Sequence, residues 1–180
     1  LRDSRALTIP VVYNISSFDS LEALNLMRGK VYVYLADFKY ASALEAGKLS
    51  HAPRYPEIAL AAIEEMVAQV PVWEEDDEGL LLKGVIVRHL VLPGRVEESK
   101  RALATLHDCF GGSVRLSIMS QYTPLASGLE RYGLAGRVTE EEYEEVLDYA
   151  DSLGVEDYFW QQGDAAQESF VPDFNGEGVW

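Results

Sequence analysis

The segment Lys83–Gly94, K-G-V-I-V-R-H-L-V-L-P-G, decides the fold of this chain. Its apolar residues occupy both alternating positions, which is typical of a strand covered on both faces, as in parallel α/β sheets. These residues are Val85, Ile86, Val87, Leu90, Val91 and Leu92. Arg88 lies in the middle of the run, where a guanidinium is costly to bury unless an anion meets it. The segment therefore predicts a buried strand that ends at Pro93-Gly94 and carries one cation in need of a partner.

The composition is that of a globular protein with an acidic surface. The 180 residues are 48% hydrophobic and 25% charged, and 15 Lys and Arg against 30 Asp and Glu give a net charge of −15. This charge argues against non-specific nucleic-acid binding, which needs a positive face. No apolar run approaches the roughly 18–20 residues of a transmembrane helix, so no membrane span is expected. The single cysteine, Cys109, fits a reducing compartment, and we expect a cytoplasmic protein.

Runs rich in β-formers alternate with helical patterns on both sides of this strand. Besides the quoted segment, strands are predicted at Ile9–Asn14, Val31–Tyr40 and Ser113–Tyr122. Helices are predicted to begin at Asp19 or Ser20, at Glu57, near Glu97 and at Thr139. Repeated βα units imply right-handed crossovers and a parallel sheet. Four such units form either a small open sheet or part of a barrel, since a closed eight-unit barrel needs roughly 250 residues.

The domain division follows from this pattern. Residues 1–155 hold the βα units, and residues 156–180 form an aromatic-rich tail that we expect to pack back on them. Leu1–Thr8 look like the end of an element that began earlier, so we expect the chain to be truncated at its start.

Polar side chains collect at the carboxyl ends of the predicted strands, where parallel α/β proteins bind their ligands. They are Asn14, Asp37, Lys39, Arg88, His89, Gln121 and Tyr122. Amides, a carboxylate and cations together suit a small zwitterionic or carboxylate-bearing ligand. Strand alternation puts Asp37 and Lys39 on one face and turns His89 away from Arg88, so His89 is interpreted as a structural histidine facing the helices. The alternative for Arg88 is a structural ion pair, with Asp37 as its partner.

Several well-known motifs are missing from the sequence. It contains no glycine-rich dinucleotide or nucleotide loop, no G-x-S-x-G and no H-E-x-x-H. One cysteine and three histidines argue against a zinc or iron–sulfur site with several ligands in this chain. No metal ligand and no catalytic residue is therefore predicted.

Five segments carry a resemblance to a known family. They are V-Y-N-I-S-S-F at Val12–Phe18, Y-L-A-D-F-K-Y at Tyr34–Tyr40, P-E-I-A-L-A-A-I-E-E-M at Pro56–Met66, G-V-I-V-R-H-L-V-L-P-G at Gly84–Gly94 and S-I-M-S-Q-Y-T-P at Ser117–Pro124. With the tail Trp160–Val179, they resemble the radical S-adenosylmethionine proteins related to pyruvate formate-lyase activating enzyme. The resemblance runs from about Ile9 to the end of the chain. It implies an α/β fold in which this chain supplies about the last four units of a partial (β/α)₆ barrel.

The resemblance also implies a cofactor and a division of labour. Members of the family bind S-adenosylmethionine beside a 4Fe–4S cluster held by a C-x-x-x-C-x-x-C loop, and a glycine-rich stretch grips the methionine amino group. Neither segment is present in this sequence. The cluster would therefore belong only to an intact protein, in which reductive cleavage of S-adenosylmethionine yields a 5′-deoxyadenosyl radical. The 180-residue chain alone is expected to be inactive.

Residue by residue, the resemblance gives roles to the strand ends. Asp37 and Lys39 match the family's D-x-K strand end, where the carboxylate serves the ribose or a bound cation and the ammonium pairs with the methionine carboxylate. Asn14 matches a neighbouring polar position, which is an acid in better-known activases. Arg88 matches an arginine of the barrel lumen, and Leu90 matches the apolar position beside the adenine.

The fourth strand end and one turn are matched less closely. Gln121 or Tyr122 would lie near the adenine–sulfonium end of the ligand. Ser17 stands where closer relatives have a glycine, and glycine takes backbone angles that serine resists. The turn after the first strand is therefore expected to differ, and with it the placement of Asn14.

Two functional hypotheses follow. The first is the S-adenosylmethionine-binding half of a radical enzyme, whose partner would be a glycyl-radical enzyme or another protein substrate. The second is a non-catalytic α/β module that docks a protein partner through its acidic surface. Missing barrel units also predict an exposed sheet edge, which favours self-association.

Overall fold

The protein, seen in a computed structural model, is described over residues 9–125, 127–155 and 157–161. Its elements, in chain order, are β1 Val12–Ile15, α1 Leu21–Met27, β2 Val33–Asp37, α2 Ala43–Ser50, α3 Tyr55–Gln69, β3 Glu74–Glu75, β4 Leu81–Leu90, α4 Val96–Phe110, β5 Arg115–Met119, α5 Glu140–Ser152 and β6 Tyr158–Trp160. Short 3₁₀ turns lie at Gly111–Ser113 and Leu129–Tyr132. Strands and helices alternate as the sequence predicts, except that α2 is followed directly by α3 and β3 directly by β4.

One sheet organises these elements. Its strand order is β1-β2-β4-β5-β6, and every neighbouring pair on this path is parallel. The strands therefore lie side by side in the order in which the chain makes them. The predicted α/β class with a parallel sheet is confirmed. Right-handed crossovers between successive strands place the connecting helices on one face of such a sheet.

The helix-facing side of the sheet forms the core. In β2 and β4, alternate residues with no or almost no exposed surface point to this side: Tyr34, Ala36, Val85, Val87 and His89. Helices α3 and α4 cover them with the apolar residues Ala62, Ile63, Met66, Ala102, Leu103 and Leu106. The opposite face of β4, with Ile86, Arg88 and Leu90, is only partly covered by the described residues. The expectation of a strand buried on both faces thus holds fully for one face.

The sequence predicts no helix between the strand Val31–Tyr40 and the helix that begins at Glu57, but the structure has one there. This helix is α2, whose amino end is capped by the Ser42 side chain accepting a hydrogen bond from the Glu45 amide at 3.1 Å. His51 ends the helix in the left-handed conformation, with φ of 53°. The sequence S-A-L-E at Ser42–Glu45 fits a helix start, but the small residues around it obscure the pattern.

The acidic segment before β4 also contains an element that no sequence pattern predicts. Glu74 and Glu75 form the short strand β3, which pairs antiparallel with β4. Lys83 donates to the Glu74 carboxylate at 2.6 Å across this pair. A hairpin therefore precedes the central strand, although no hairpin was predicted there.

The segment assigned to a tail contributes a strand. Tyr158–Trp160 form β6, which pairs parallel with β5 and extends the sheet to a fifth parallel strand. The remainder of the predicted tail, residues 162–180, lies outside the described residues. Among the helices of the described part, none is long and apolar enough to cross a membrane.

Candidate functional site

Three strands bring polar side chains to the partly covered face of the sheet. Asp37 is the last residue of β2 and is paired in register with Arg88 of β4. Asn14 of β1 is paired with Leu35, which lies two residues before Asp37 on β2. Asn14 therefore lies on the same face of the sheet as Asp37 and Arg88. The register places these side chains beside one another at the carboxyl ends of the strands.

Their hydrogen bonds form a continuous network. Arg88 donates from Nε to Asp37 Oδ1 at 2.9 Å and from Nη2 to Asn14 Oδ1 at 2.6 Å. The same Nη2 lies 2.6 Å from Asp37 Oδ1. Lys39 Nζ lies 3.6 Å from the other carboxylate oxygen, Asp37 Oδ2. We call Asn14, Asp37, Lys39 and Arg88 the rim cluster.

The rim cluster carries an excess positive charge. One carboxylate faces two cations, which leaves a formal charge of +1. The Arg88 and Asp37 side chains are 23% and 20% exposed, whereas that of Lys39 is 48% exposed. Lys39 also makes the longest of these contacts, so its ammonium is the cation most available to a further anion. The chemistry of the cluster therefore suits a small molecule that bears a carboxylate.

Leu90 and Gln121, the other two predicted residues, lie farther along the same end of the sheet. Leu90 is half-buried, on the same face of β4 as Arg88, and is paired with Met119 of β5. Gln121 is exposed; its Nε2 contacts Met119 Sδ at 3.6 Å, and its Oε1 accepts a hydrogen bond from Gln161 at 3.2 Å. No described contact joins Gln121 to the rim cluster.

His89 lies on the opposite side of β4, in the helix layer. Its Nδ1 is 2.8 Å from the Phe38 carbonyl oxygen, and its Nε2 is 2.9 Å from Ser99 Oγ. A carbonyl oxygen can only accept, so Nδ1 carries the proton and Nε2 accepts from the Ser99 hydroxyl. Burial lowers the pKa of His89, which keeps the ring neutral, although the Phe38 carbonyl and the Glu98 charge oppose this effect. The structural interpretation of His89 agrees with these contacts.

Glu98 is a buried acid that the sequence did not single out. It is 5% exposed, and its Oε1 accepts hydrogen bonds from the amides of Ala41 at 2.8 Å and Ser42 at 2.7 Å. Burial alone would raise the pKa of Glu98, but hydrogen bonds from Arg101, Ser42 and Ala41 together lower it. Glu98 thus anchors the chain that leaves Lys39 and enters α2. Its place in an amphipathic helix start, V-E-E-S-K, gave no signal of burial.

Ser17 occupies the turn that follows β1. It has φ of 61°, in the left-handed region that favours glycine, and it has no exposed surface. Its hydroxyl has no hydrogen-bond partner among the described residues. The sequence predicts that this turn differs because serine resists glycine's backbone angles, but Ser17 adopts such an angle. Asn14 nevertheless reaches Arg88, so the turn does not displace it from the rim cluster.

The described residues contain no group of three or more His, Cys, Asp or Glu side chains arranged to hold a metal ion. Cys109, the single cysteine of the sequence, is exposed on α4. One thiol cannot supply the three cysteine ligands that a C-x-x-x-C-x-x-C loop provides. The residues of this chain therefore do not fit a 4Fe–4S cluster.

Comparison with known proteins gives one relative without a known activity. The chain is 27% identical over 148 residues to an uncharacterized protein of Methanocaldococcus jannaschii, MJ0674. The match covers 82% of this chain and 40% of that protein, so the chain spans less than half of its relative's length. No model of a protein family matches the sequence.

Proposed function

We propose that this chain is the S-adenosylmethionine-binding half of a radical S-adenosylmethionine enzyme resembling pyruvate formate-lyase activating enzyme. One observation carries the proposal: Asn14, Asp37, Lys39 and Arg88, which the family resemblance selects, form one network at the carboxyl ends of three adjacent strands. The strand order, which follows the chain without a reversal, agrees with the wall of a partial (β/α)₆ barrel.

Each residue of the rim cluster has a role that its chemistry allows. The ammonium of Lys39 would pair with the methionine carboxylate, and Arg88 would add a second positive charge beside it. Asp37 would accept hydrogen bonds from the ribose hydroxyls while it stays fixed by Arg88. Asn14 would hold the guanidinium in the plane that faces Asp37, and Leu90 would pack against the adenine.

The chemical step belongs to a longer polypeptide in this proposal. A 4Fe–4S cluster supplies the electron for reductive cleavage of S-adenosylmethionine, and its ligands would lie outside this sequence. The residues described here bind and orient the ligand; they neither donate the electron nor transfer a proton. The chain alone would therefore bind S-adenosylmethionine weakly and would not cleave it. A glycyl-radical enzyme is the proposed class of protein substrate for the intact enzyme, in a reducing compartment such as the cytoplasm.

Titration of the isotope-labelled chain with S-adenosylmethionine, followed by two-dimensional ¹H–¹⁵N NMR, tests the proposal because this method measures dissociation constants into the millimolar range. Lys39→Ala and Arg88→Ala should each weaken binding by roughly tenfold or more, the value of one charge-assisted contact. Lys83→Ala is the matched control, because Lys83 pairs with Glu74 toward the other end of β4. Absence of binding to the unmodified chain, or equal affinity in all variants, would contradict the proposal.

A further inference from the structure

Tyr55 makes an unusual set of contacts at the first turn of α3. Its hydroxyl oxygen lies 3.0 Å from the Lys39 amide nitrogen, 2.9 Å from the Asp37 carbonyl oxygen and 3.0 Å from the Ser16 carbonyl oxygen. The Lys39 amide donates to this oxygen, and the hydroxyl proton is directed to the two carbonyls, which can only accept. One side-chain atom therefore joins the end of β2 to the turn after β1.

The position of this hydroxyl is fixed by its surroundings. Tyr55 is 4% exposed, and its ring stacks on Phe18 at 5.9 Å between centroids. It also meets Phe38 at 6.4 Å and the edge of Tyr40 at 5.6 Å. Burial raises the pKa of Tyr55 well above the ordinary value of a tyrosine, so the group remains a protonated hydroxyl. A rigid ring thus holds a neutral donor and acceptor at one place.

The two peptide groups on either side of Phe38 have hydrogen bonds at every N–H and carbonyl. Tyr55 binds the Asp37 carbonyl and the Lys39 amide, while the Phe38 amide donates to the Arg88 carbonyl at 2.8 Å. His89 completes the set at the Phe38 carbonyl. The side chains of Asp37 and Lys39 project from this segment into the rim cluster. The backbone of the segment therefore cannot rotate without breaking one of these hydrogen bonds.

We infer that Tyr55 is a positioning residue of the rim cluster, which fixes the backbone at Lys39 and so directs the Lys39 ammonium to the carboxylate end of the ligand. This inference rests on the proposed function for the identity of the ligand. It goes beyond that function because Tyr55 does not belong to the rim cluster and acts through the backbone of its neighbours. Its removal should change how well the site distinguishes a ligand with a carboxylate from one without.

The first part of the test needs no ligand. Tyr55→Phe removes the hydroxyl and keeps the ring, and hydrogen exchange of the backbone amides reports the result by NMR. The Lys39 amide should exchange roughly tenfold faster in this variant, because its acceptor is gone, whereas the Phe38 amide keeps its bond to Arg88. Tyr40→Phe is the matched control: it removes a hydroxyl bonded to Ser50 from the same aromatic cluster. Unchanged exchange at Lys39 in Tyr55→Phe would overturn the inference.

The second part compares two ligands on the same variants. S-adenosylmethionine carries the carboxylate, and 5′-methylthioadenosine keeps the adenosine and the sulfur but lacks the amino-acid end. Tyr55→Phe should lower the affinity for S-adenosylmethionine by roughly fivefold and leave that for 5′-methylthioadenosine unchanged. Tyr40→Phe should change neither. An equal loss for both ligands would mean that Tyr55 has only a structural role, and no loss for either would overturn the inference as well.

The two parts separate this inference from the proposed function. If the unmodified chain binds neither ligand, the proposed function fails, and the ligand-directing part of the inference fails with it. The exchange of the Lys39 amide still decides whether Tyr55 holds the end of β2. If the chain binds S-adenosylmethionine and the Tyr55→Phe variant binds it equally well, only the inference fails.

Discussion

Arg88 and Asp37 face each other as register partners on β4 and β2. The guanidinium of Arg88 donates to Asp37 Oδ1 from Nε, and its Nη2 lies 2.6 Å from the same oxygen. Both side chains are about one-fifth exposed, so the pair is neither a surface contact nor a fully buried one. Asp37 is thus the anion that the half-buried Arg88 of the central strand requires. The pair also leaves Lys39 as the more exposed positive charge of the rim cluster.

Replacement of Asp37 by asparagine should destabilise the ligand-free chain. Arg88 would lose its anion while most of its surface stays out of water, and we expect a loss of about 1–2 kcal/mol in the free energy of unfolding. This is less than the roughly 3–5 kcal/mol of a fully buried pair, because water reaches both side chains. Urea denaturation measures the loss. Glu74→Gln, which breaks an exposed pair with Lys83, serves as the control, and equal losses in both variants would contradict this account.

Changes at Ser17 should stabilise the fold. Ser17→Ala removes a buried hydroxyl without a described partner, and Ser17→Gly also relieves the left-handed backbone. We expect stability to increase from serine to alanine to glycine. The free energy of unfolding should rise by about 1–2 kcal/mol in total, after the backbone entropy of glycine is subtracted. Thermal unfolding measures the order. Ser16→Gly is the matched control and should be destabilising, because Ser16 does not have a positive φ.

His89 should make stability depend on pH below neutrality. Burial lowers its folded-state pKa below that of the unfolded chain, so the unfolded chain binds the extra proton. The contribution of His89 is therefore complete above about pH 6.5, the ordinary pKa of histidine, and is lost as pH falls below that value, by at most about 1.4 kcal/mol per pH unit. Urea denaturation between pH 8 and pH 5.5 measures how the free energy of unfolding changes with pH. His89→Asn should flatten this dependence, whereas the control His107→Asn should leave it unchanged because the buried His89 ring is still present. Identical slopes in all three proteins would contradict the assignment.

The edge of the sheet should promote association. In the described part of the chain, β1 lies at one edge, and Val12 on it is 53% exposed. Static light scattering should show an apparent mass that rises with concentration, and Val12→Lys should reduce the rise because a charge on an edge strand disfavours edge-to-edge pairing. Leu26→Lys, on an exposed face of α1, should not. A monomer at every concentration would exclude this association.

The sequence predicts β1, β2, β4, β5 and most of the helices, because their apolar patterns extend over several residues. β4 follows from a continuous run of apolar β-formers, and α4 follows from a 3.6-residue apolar stripe. The alternation of side chains along β4 is enough to place Arg88 and His89 on opposite faces. The short α2 was missed because eight residues with a glycine inside carry a weak stripe, although Ser42 and Glu45 mark its start. β3 was missed because two glutamates form a strand only through their partners on β4.

The candidate site was predictable in part for a similar reason. Parallel strands end at one edge, so topology alone predicts that Asn14, Asp37 and Arg88 meet. The roles of Tyr55 and Glu98 depend on contacts with chain segments 16 to 57 residues away in sequence. No local pattern encodes such contacts. Tyr55 beside Pro56 signals only the start of a helix.

We propose that the rim cluster binds the amino-acid end of S-adenosylmethionine, and a crystal structure of the chain grown with a high concentration of S-adenosylmethionine tests this proposal most directly. We expect the ligand at the carboxyl ends of β1, β2 and β4, with its carboxylate within hydrogen-bond distance of Lys39 Nζ. A ligand bound elsewhere on the protein, or a rim cluster left without ligand at saturating concentration, would contradict it.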